Sequence, residues 1–461
     1  MQFIYLLTFM LVPCISFAST STPDISTNPD PMVFLWLVIF ILISRSFSIV
    51  KKFGLPLVVG EIIAGIILGD LHLIGINVAN IQNAQDNSII KFMAELGAII
   101  LMFEIGIESK FSDLKYHFRP AILVALSGTA FTFLGGFLVS YFLITNSTLQ
   151  LNLLMGTICA ATATGISAKT FKDMKLIRTK EVQLVLVASI MDELLSIIGF
   201  AVISAMIIDN SVNLHTLSMS ILHVGGFFFF AFVFGRWITP VFTLWSTKIH
   251  AGINMKIGVL LIICLFFAWL SDILGLATFV GSFIAGLMLE QVYFKSFSIS
   301  PFIRQLRLMS AKIDDPKLKY HMNQVIDKHE EKTLEELLKP ISYLFVPVFF
   351  IYIGMLLDIE QLFKWQTLLM VFILLTVSFI GRLLSGHMTD GKNLNKSVIG
   401  LGMTPIGEAG LIFATFGKNL GIVSDQVFTA IVSTLVVASI LTPILIKINV
   451  DKHGVNYTEN E

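Results

Sequence analysis

Two adjacent carboxylates, Asp192 and Glu193, stand in the middle of the apolar run VQLVLVASIMDELLSIIGFAVISAMII (182–208), which is long enough to cross a bilayer as a helix. Each ionised side chain at the bilayer centre costs about 2.5–3.5 kcal/mol on insertion scales, so the pair needs a compensating role. Two roles are open. The acids either face a wet cavity and exchange ions or protons, or they pair with buried cations and hold helices together. Buried ion pairs stabilise poorly compared with apolar packing, which favours the first. Competing chemistries fit less well. An intramembrane protease needs acids on two helices or a nucleophile beside a base, whereas neighbours on one helix point about 100° apart. No G-x-x-x-x-G-K-[ST] loop is present to serve a primary pump. Cys14, Cys159 and Cys264 are far apart and show neither metal nor disulfide spacing. No enzyme activity and no cofactor are therefore expected, and hard oxygen ligands suit Na+, Li+ or K+ rather than a transition metal.

Composition fixes the setting of these acids. Hydrophobic residues make up 55% of the chain and charged residues 13%, and with a mean hydropathy of +0.84 this excludes an ordinary soluble domain. The 31 basic and 31 acidic residues balance, and no nucleic-acid partner is expected. The expected fold is an all-α polytopic membrane protein, with the lipid bilayer as its surroundings. Apolar stretches of crossing length give about thirteen spans, near 32–50, 55–71, 90–107, 120–144, 149–170, 182–208, 216–245, 256–272, 273–290, 341–357, 366–388, 396–417 and 425–447.

Lysine and arginine placement sets the orientation, because basic loops stay in the cytoplasm. Lys51, Lys52, the run KTFKDMKLIRTK (169–180) and the loop 291–340 fall on one side, giving an outer N-terminus and a cytoplasmic C-terminal tail, 448–461. The loop 291–340 reads as a solvated stretch with one or two cytosolic helices. Residues 1–31 form a separate N-terminal segment: 1–18 resemble a signal peptide without a basic start, and a polar linker follows. The transmembrane domain itself is expected over 32–447.

An internal repeat organises the spans. GEIIAGIILG (60–69) matches GSFIAGLMLE (281–290), and MFEIGIE (102–108) matches FIYIGML (350–356), in the same order and at the same offset. The offset is about seven spans, an odd number, so matched helices cross in opposite directions, as in the inverted repeats of secondary transporters. The repeat also pairs the fifth span with the twelfth, and both carry helix breakers. Thr162, Thr164 and Gly165 sit centrally in LMGTICAATATGISAKTF (154–171), and Thr404, Pro405, Gly407 and Glu408 in VIGLGMTPIGEAGLIFATF (398–416). Unwound backbone at membrane depth is tolerable only beside a polar cavity, where freed carbonyls can coordinate a cation.

Taken together, GLPLVVGEIIAGIILG (54–69), ELGAIILMFEIGIE (95–108), ATATGIS (161–167), ASIMDELL (188–195), PVFFIYIGMLLD (347–358) and GLGMTPIGEAGLI (400–412) resemble the monovalent cation:proton antiporter superfamily, in particular its sodium/proton antiporter and potassium-efflux branch. The resemblance covers roughly 32–447. It implies a homodimer in which a core built around two crossed discontinuous helices moves like an elevator, exchanging Na+ or K+ for H+ without ATP. A cation channel, or a potassium-efflux component gated by a partner, is the alternative. The chain stops at Glu461, without room for the nucleotide-binding domain of many potassium-efflux members, which favours a simple exchanger.

The same resemblance implies roles. Asp192 and Glu193 take the acidic pair of the ion-binding helix, with Glu193 as principal cation and proton ligand where the family usually has Asp. Thr162 and Thr164 take the oxygen-bearing positions of the broken helix. Ser189, one turn before Glu193, either adds a hydroxyl ligand or bonds a backbone carbonyl. Arg382 takes the place of a basic residue that neutralises Asp192, as a fixed counter-charge, and Glu408 is its alternative partner. Glu104 is an accessory acid near the cytosolic funnel or a structural one. Glu61, Glu95, Asp272, Arg45 and Arg236 lie near span ends and are expected at the interface.

Overall fold

A computed structural model describes residues 32–47, 57–70, 85, 87–108, 118–174, 176, 179–208, 214–249, 252–274, 276–289, 309–310, 322, 334–389 and 394–453. The N-terminal segment 1–31, the tail beyond residue 453 and nearly all of the loop 291–333 lie outside the described residues. So do the cysteine at 14 and the expected loop helices.

Every expected span contains helix. The first four give α1 (Met32–Phe47), α2 (Leu57–Gly69), α3 (Ser88–Glu108) and α4 (Phe118–Leu143). The fifth is split into α5 (Leu149–Ala160) and α6 (Thr164–Asp173), and α7 (Lys180–Ile208), α8 (Leu214–Ile249), α9 (Ile253–Ile273) and α10 (Thr278–Met288) follow. The remainder is α11 (Leu334–Met355), the single turn α12 (Ile359–Leu362), α13 (Trp365–His387), α14 (Lys396–Gly402), α15 (Glu408–Asn419) and α16 (Asp425–His453). Six of these helices are long and apolar enough to cross a membrane by themselves, including α7 and the greater part of α4, α11 and α16. Several others are shorter apolar helices, among them α1, α2, α5 and α10. Helix α11 starts at Leu334, seven residues before the apolar run at 341, so the end of the expected cytosolic loop is the first part of a helix. The join between the eighth and ninth spans is a tight turn, in which the Ser271 hydroxyl lies within hydrogen-bonding reach of the carbonyls of Ala268 and Ala277.

Two compact units divide the chain. The first comprises 1–97, 122–192 and 345–461, and the second 98–121 and 193–344. In the first, Trp36 and Phe40 of α1 pack in one buried cluster with Leu68 of α2, Ile90 of α3 and Ile351 and Tyr352 of α11. In the second, α9 and α10 form a close pair: a Cβ on Gly281 would stand 2.5 Å from the Ser271 hydroxyl.

The repeat is visible as one local geometry made twice. In the first unit, Gly65 of α2 faces Gly354 of α11 so closely that a Cβ on Gly65 would lie 2.8 Å from the Gly354 Cα, beside the Ile351 carbonyl. In the second, a Cβ on Gly286 of α10 would lie 3.1 Å from Gly106 of α3, beside the Phe103 carbonyl. The sequence repeat pairs Gly65 with Gly286, Gly354 with Gly106 and Ile351 with Phe103. Each helix therefore meets its partner through the same residues in both copies, because only glycine lets two backbones approach this far.

Candidate functional site

In the first unit two helices are interrupted where the breakers predict. Helix α5 ends at Ala160 and α6 starts at Thr164, while α14 ends at Gly402 and α15 starts at Glu408. Unwinding frees backbone groups that buried surroundings would penalise. The two breaks satisfy each other. Ala163 N–H donates to Pro405 O (2.7 Å), Gly407 N–H donates to Ala161 O (3.0 Å), and Thr162 and Ile406 face each other in the one antiparallel bridge among the described residues. Pro405 leaves no orphan donor, since it has no N–H. Gly407 is required by the approach, because a Cβ there would stand 2.8 Å from the Thr162 carbonyl carbon. Thr404 bonds back to Gly400 O (3.1 Å), and the Ser167 hydroxyl donates to Gly402 O at the end of α14.

Beside this crossing lies Asp192, fully buried on α7. Arg382 of α13, 1% exposed, donates from Nη1 to Asp192 Oδ1 at 2.8 Å. Its Nη2 donates to Ala160 O, the last carbonyl of the half-helix α5. The guanidinium thus serves a carboxylate and the negative end of a helix dipole together. The Thr162 hydroxyl donates to Asp192 Oδ2, and Thr129 of α4 donates to Asp192 Oδ1 at 2.5 Å. Both carboxylate oxygens are therefore occupied, by donors from α4, α13 and the unwound link between α5 and α6.

The other expected site residues are distributed as follows. Glu193, the next residue on α7, is buried at 6% exposure. Ser189 is also buried, but its hydroxyl donates to the Met403 sulfur (3.1 Å) at the end of α14, neither to a carbonyl nor to a carboxylate. Thr164 opens α6, and its side chain lies outside the described residues. Glu408 is half-buried and opens α15, where a negative charge suits the positive end of the half-helix dipole. Among the described residues it makes no ion pair with Arg382, whose guanidinium is committed to Asp192 and Ala160. In the second unit, Glu104 of α3 accepts a hydrogen bond from the Ser342 hydroxyl of α11 at 2.6 Å.

Two features escaped the sequence pattern. Thr129 sits in an apolar span with other hydroxyl residues, and nothing in the spacing marks it. Glu61 is not interfacial: it is 2% exposed and accepts a 2.5 Å bond from the equally buried Ser44 of α1, so helix pairing has drawn it inside. Glu95, Asp272 and Arg45 are exposed, and the side chain of Arg236 lies outside the described residues.

Comparison with known proteins agrees with this architecture. The chain is 26% identical over 424 residues to the Na(+)/H(+) antiporter of Enterococcus hirae, covering 90% of this chain and 98% of that protein. It is 27% identical over 419 residues to the Na(+)/H(+)-K(+) antiporter GerN of Bacillus cereus, covering 90% and 95%. Its fold is similar to the solved structure of the sodium proton antiporter MjNhaP1 from Methanocaldococcus jannaschii at pH 8, with a TM-score of 0.61 at 16% identity over 92% of this chain and 97% of that one. The model of the sodium/hydrogen exchanger, transmembrane, family matches residues 37–309 and 322–452, and with both breaks, the acid pair and Arg382 inside the matched ranges, this chain belongs to that family.

Proposed function

We propose that this chain is a secondary antiporter that exchanges a monovalent cation, Na+ or K+, for protons across the cell membrane. The observation that carries the reading is the pair of broken helices crossing beside a buried, arginine-paired acid. Half-helix ends and unwound carbonyls at such depth suit a desolvated cation. Proton and cation then compete for one carboxylate, and if the site crosses only when occupied by either, one gradient drives the other.

Glu193 is the exchanging group in this reading. Asp192 has both oxygens engaged by Arg382, Thr129 and Thr162, and the family likeness supports its neighbour Glu193 as the ligand of the proton or the cation. Thr162 then acts by holding Asp192, and Ser189 by tying α7 to Met403, while the family likeness supports Thr164 as an oxygen-bearing position of the break. Glu408 tunes the dipole of α15, and Glu104 is an accessory acid steadied by Ser342. The basic-loop bias supports an outer N-terminus, a cytoplasmic tail and thirteen crossings, over an exchanger domain of 32–447. The family likeness supports homodimer assembly and elevator-type movement.

The test is exchange in proteoliposomes, reading internal pH as Na+, K+ or Li+ is added outside. Wild-type protein should move protons against the cation it selects, and Glu193→Gln should abolish exchange while inserting normally, since the amide can neither hold a titratable proton nor carry charge. Wild-type-like exchange by that variant would remove Glu193 from the mechanism, and cation flux without proton movement would indicate a channel.

A further inference from the structure

Helix α4 presses two consecutive residues against the Asp192–Arg382 pair. A Cβ on Gly128 would stand 2.7 Å from Arg382 Nη1, so the absence of a side chain there makes room for the guanidinium. The next residue, Thr129, has its hydroxyl 2.9 Å from Ala125 O and 2.5 Å from Asp192 Oδ1. A threonine hydroxyl bonding the carbonyl four residues back is ordinary in an apolar helix. Thr157, Thr170, Thr415, Thr434 and Thr442 do this with Leu153, Ile166, Leu411, Ala430 and Ala438. Thr129 differs, because its single proton has a second and closer acceptor, and that acceptor is a carboxylate. A charge-assisted bond is about twice as strong as a neutral one, so the carboxylate wins the proton.

We infer that Thr129 is a positioning residue for exchange, holding the Asp192 carboxylate in the orientation that receives Arg382 and Thr162. Gly128 makes the space that this arrangement needs. The inference rests on the reading that Glu193, beside Asp192 on α7, handles the exchanged ions. The carbonyl of Ala125 gives the hydroxyl a second place to donate when Asp192 shifts, so that the pair can rearrange without leaving a buried donor unpaired.

The test compares Thr129→Val, which keeps the shape and deletes the hydroxyl, with Thr129→Ser, which keeps the hydroxyl. In proteoliposomes at saturating cation, the valine variant should exchange about tenfold more slowly, the effect of losing one hydrogen bond to a charged group. The serine variant should return to within about twofold of wild type, because it restores the donor. Melting temperatures of Thr129→Val, Asp192→Asn and the double variant in detergent should show a combined loss smaller than the sum of the single ones, since both remove the same contact. Should the valine variant not accumulate, Thr129→Ala carries the same comparisons. With Glu193→Gln inactive, a wild-type rate in Thr129→Val, no restoration by serine, or simply additive melting losses would each overturn the inference alone. An active Glu193→Gln would instead remove the reading beneath it.

Discussion

Replacing Arg382 by methionine, which has a long unbranched side chain and no charge, isolates what the buried ion pair does. In the wild type the guanidinium supplies one donor to Asp192 Oδ1 at 2.8 Å and one to the Ala160 carbonyl, with side-chain exposures of 1% for Arg382 and 0% for Asp192. Without it, a fully buried carboxylate keeps, among the described residues, the two hydroxyls of Thr129 and Thr162. Breaking one side of a buried pair in this way costs about 3–5 kcal/mol, because the remaining charge is uncompensated. Asp192→Asn alone leaves the opposite charge stranded, with the Ala160 carbonyl as its remaining partner. Removing both charges together is different, since the desolvation cost of each disappears with it, and paired replacement of buried charges is often close to neutral. Arg382→Met should therefore lower the melting temperature of the purified protein strongly. The double variant Asp192→Asn with Arg382→Met should recover most of that loss, with a coupling between the sites within the range of about 0.5–3 kcal/mol for contacting residues, at its upper end. Thermal unfolding followed by a thiol-reactive dye in a Cys14→Ser background reports this, because Cys159 and Cys264 are both buried and become reactive on unfolding. A single variant as stable as wild type, or a double variant whose loss is the sum of the two, would show that the pair does not bear on the fold in the way its geometry indicates.

The remaining predictions concern the repeat and the topology. Gly65→Ala and Gly286→Ala each force a methyl against the facing backbone, so both should destabilise by about 1–3 kcal/mol, as overpacking does; thermal unfolding showing a loss in only one would argue against equivalent crossings. Reporter fusions at Lys452 and within 312–339 should both signal the cytoplasm, and an exterior signal at either would overturn the count of thirteen crossings.

Much of the molecule was legible in one dimension. Helices that cross a bilayer must be apolar along their length, so each stretch picked out by hydropathy holds helix among the described residues, and breakers such as Pro405 and Gly407 located the interruptions to within a few residues. The matched glycines likewise announced the repeat, since a residue without a side chain is kept where two backbones touch. What the sequence could not decide was which polar groups would face one another. The two breaks hydrogen-bond to each other, Ala163 to Pro405 and Gly407 to Ala161, across more than two hundred positions of chain. Asp192 is held by Thr129, Thr162 and Arg382 from three different elements, Ser189 turns to Met403, and Glu61 is drawn inside by Ser44. Hydrogen bonds and ion pairs act over about 3 Å, and only tertiary packing brings distant residues within that range.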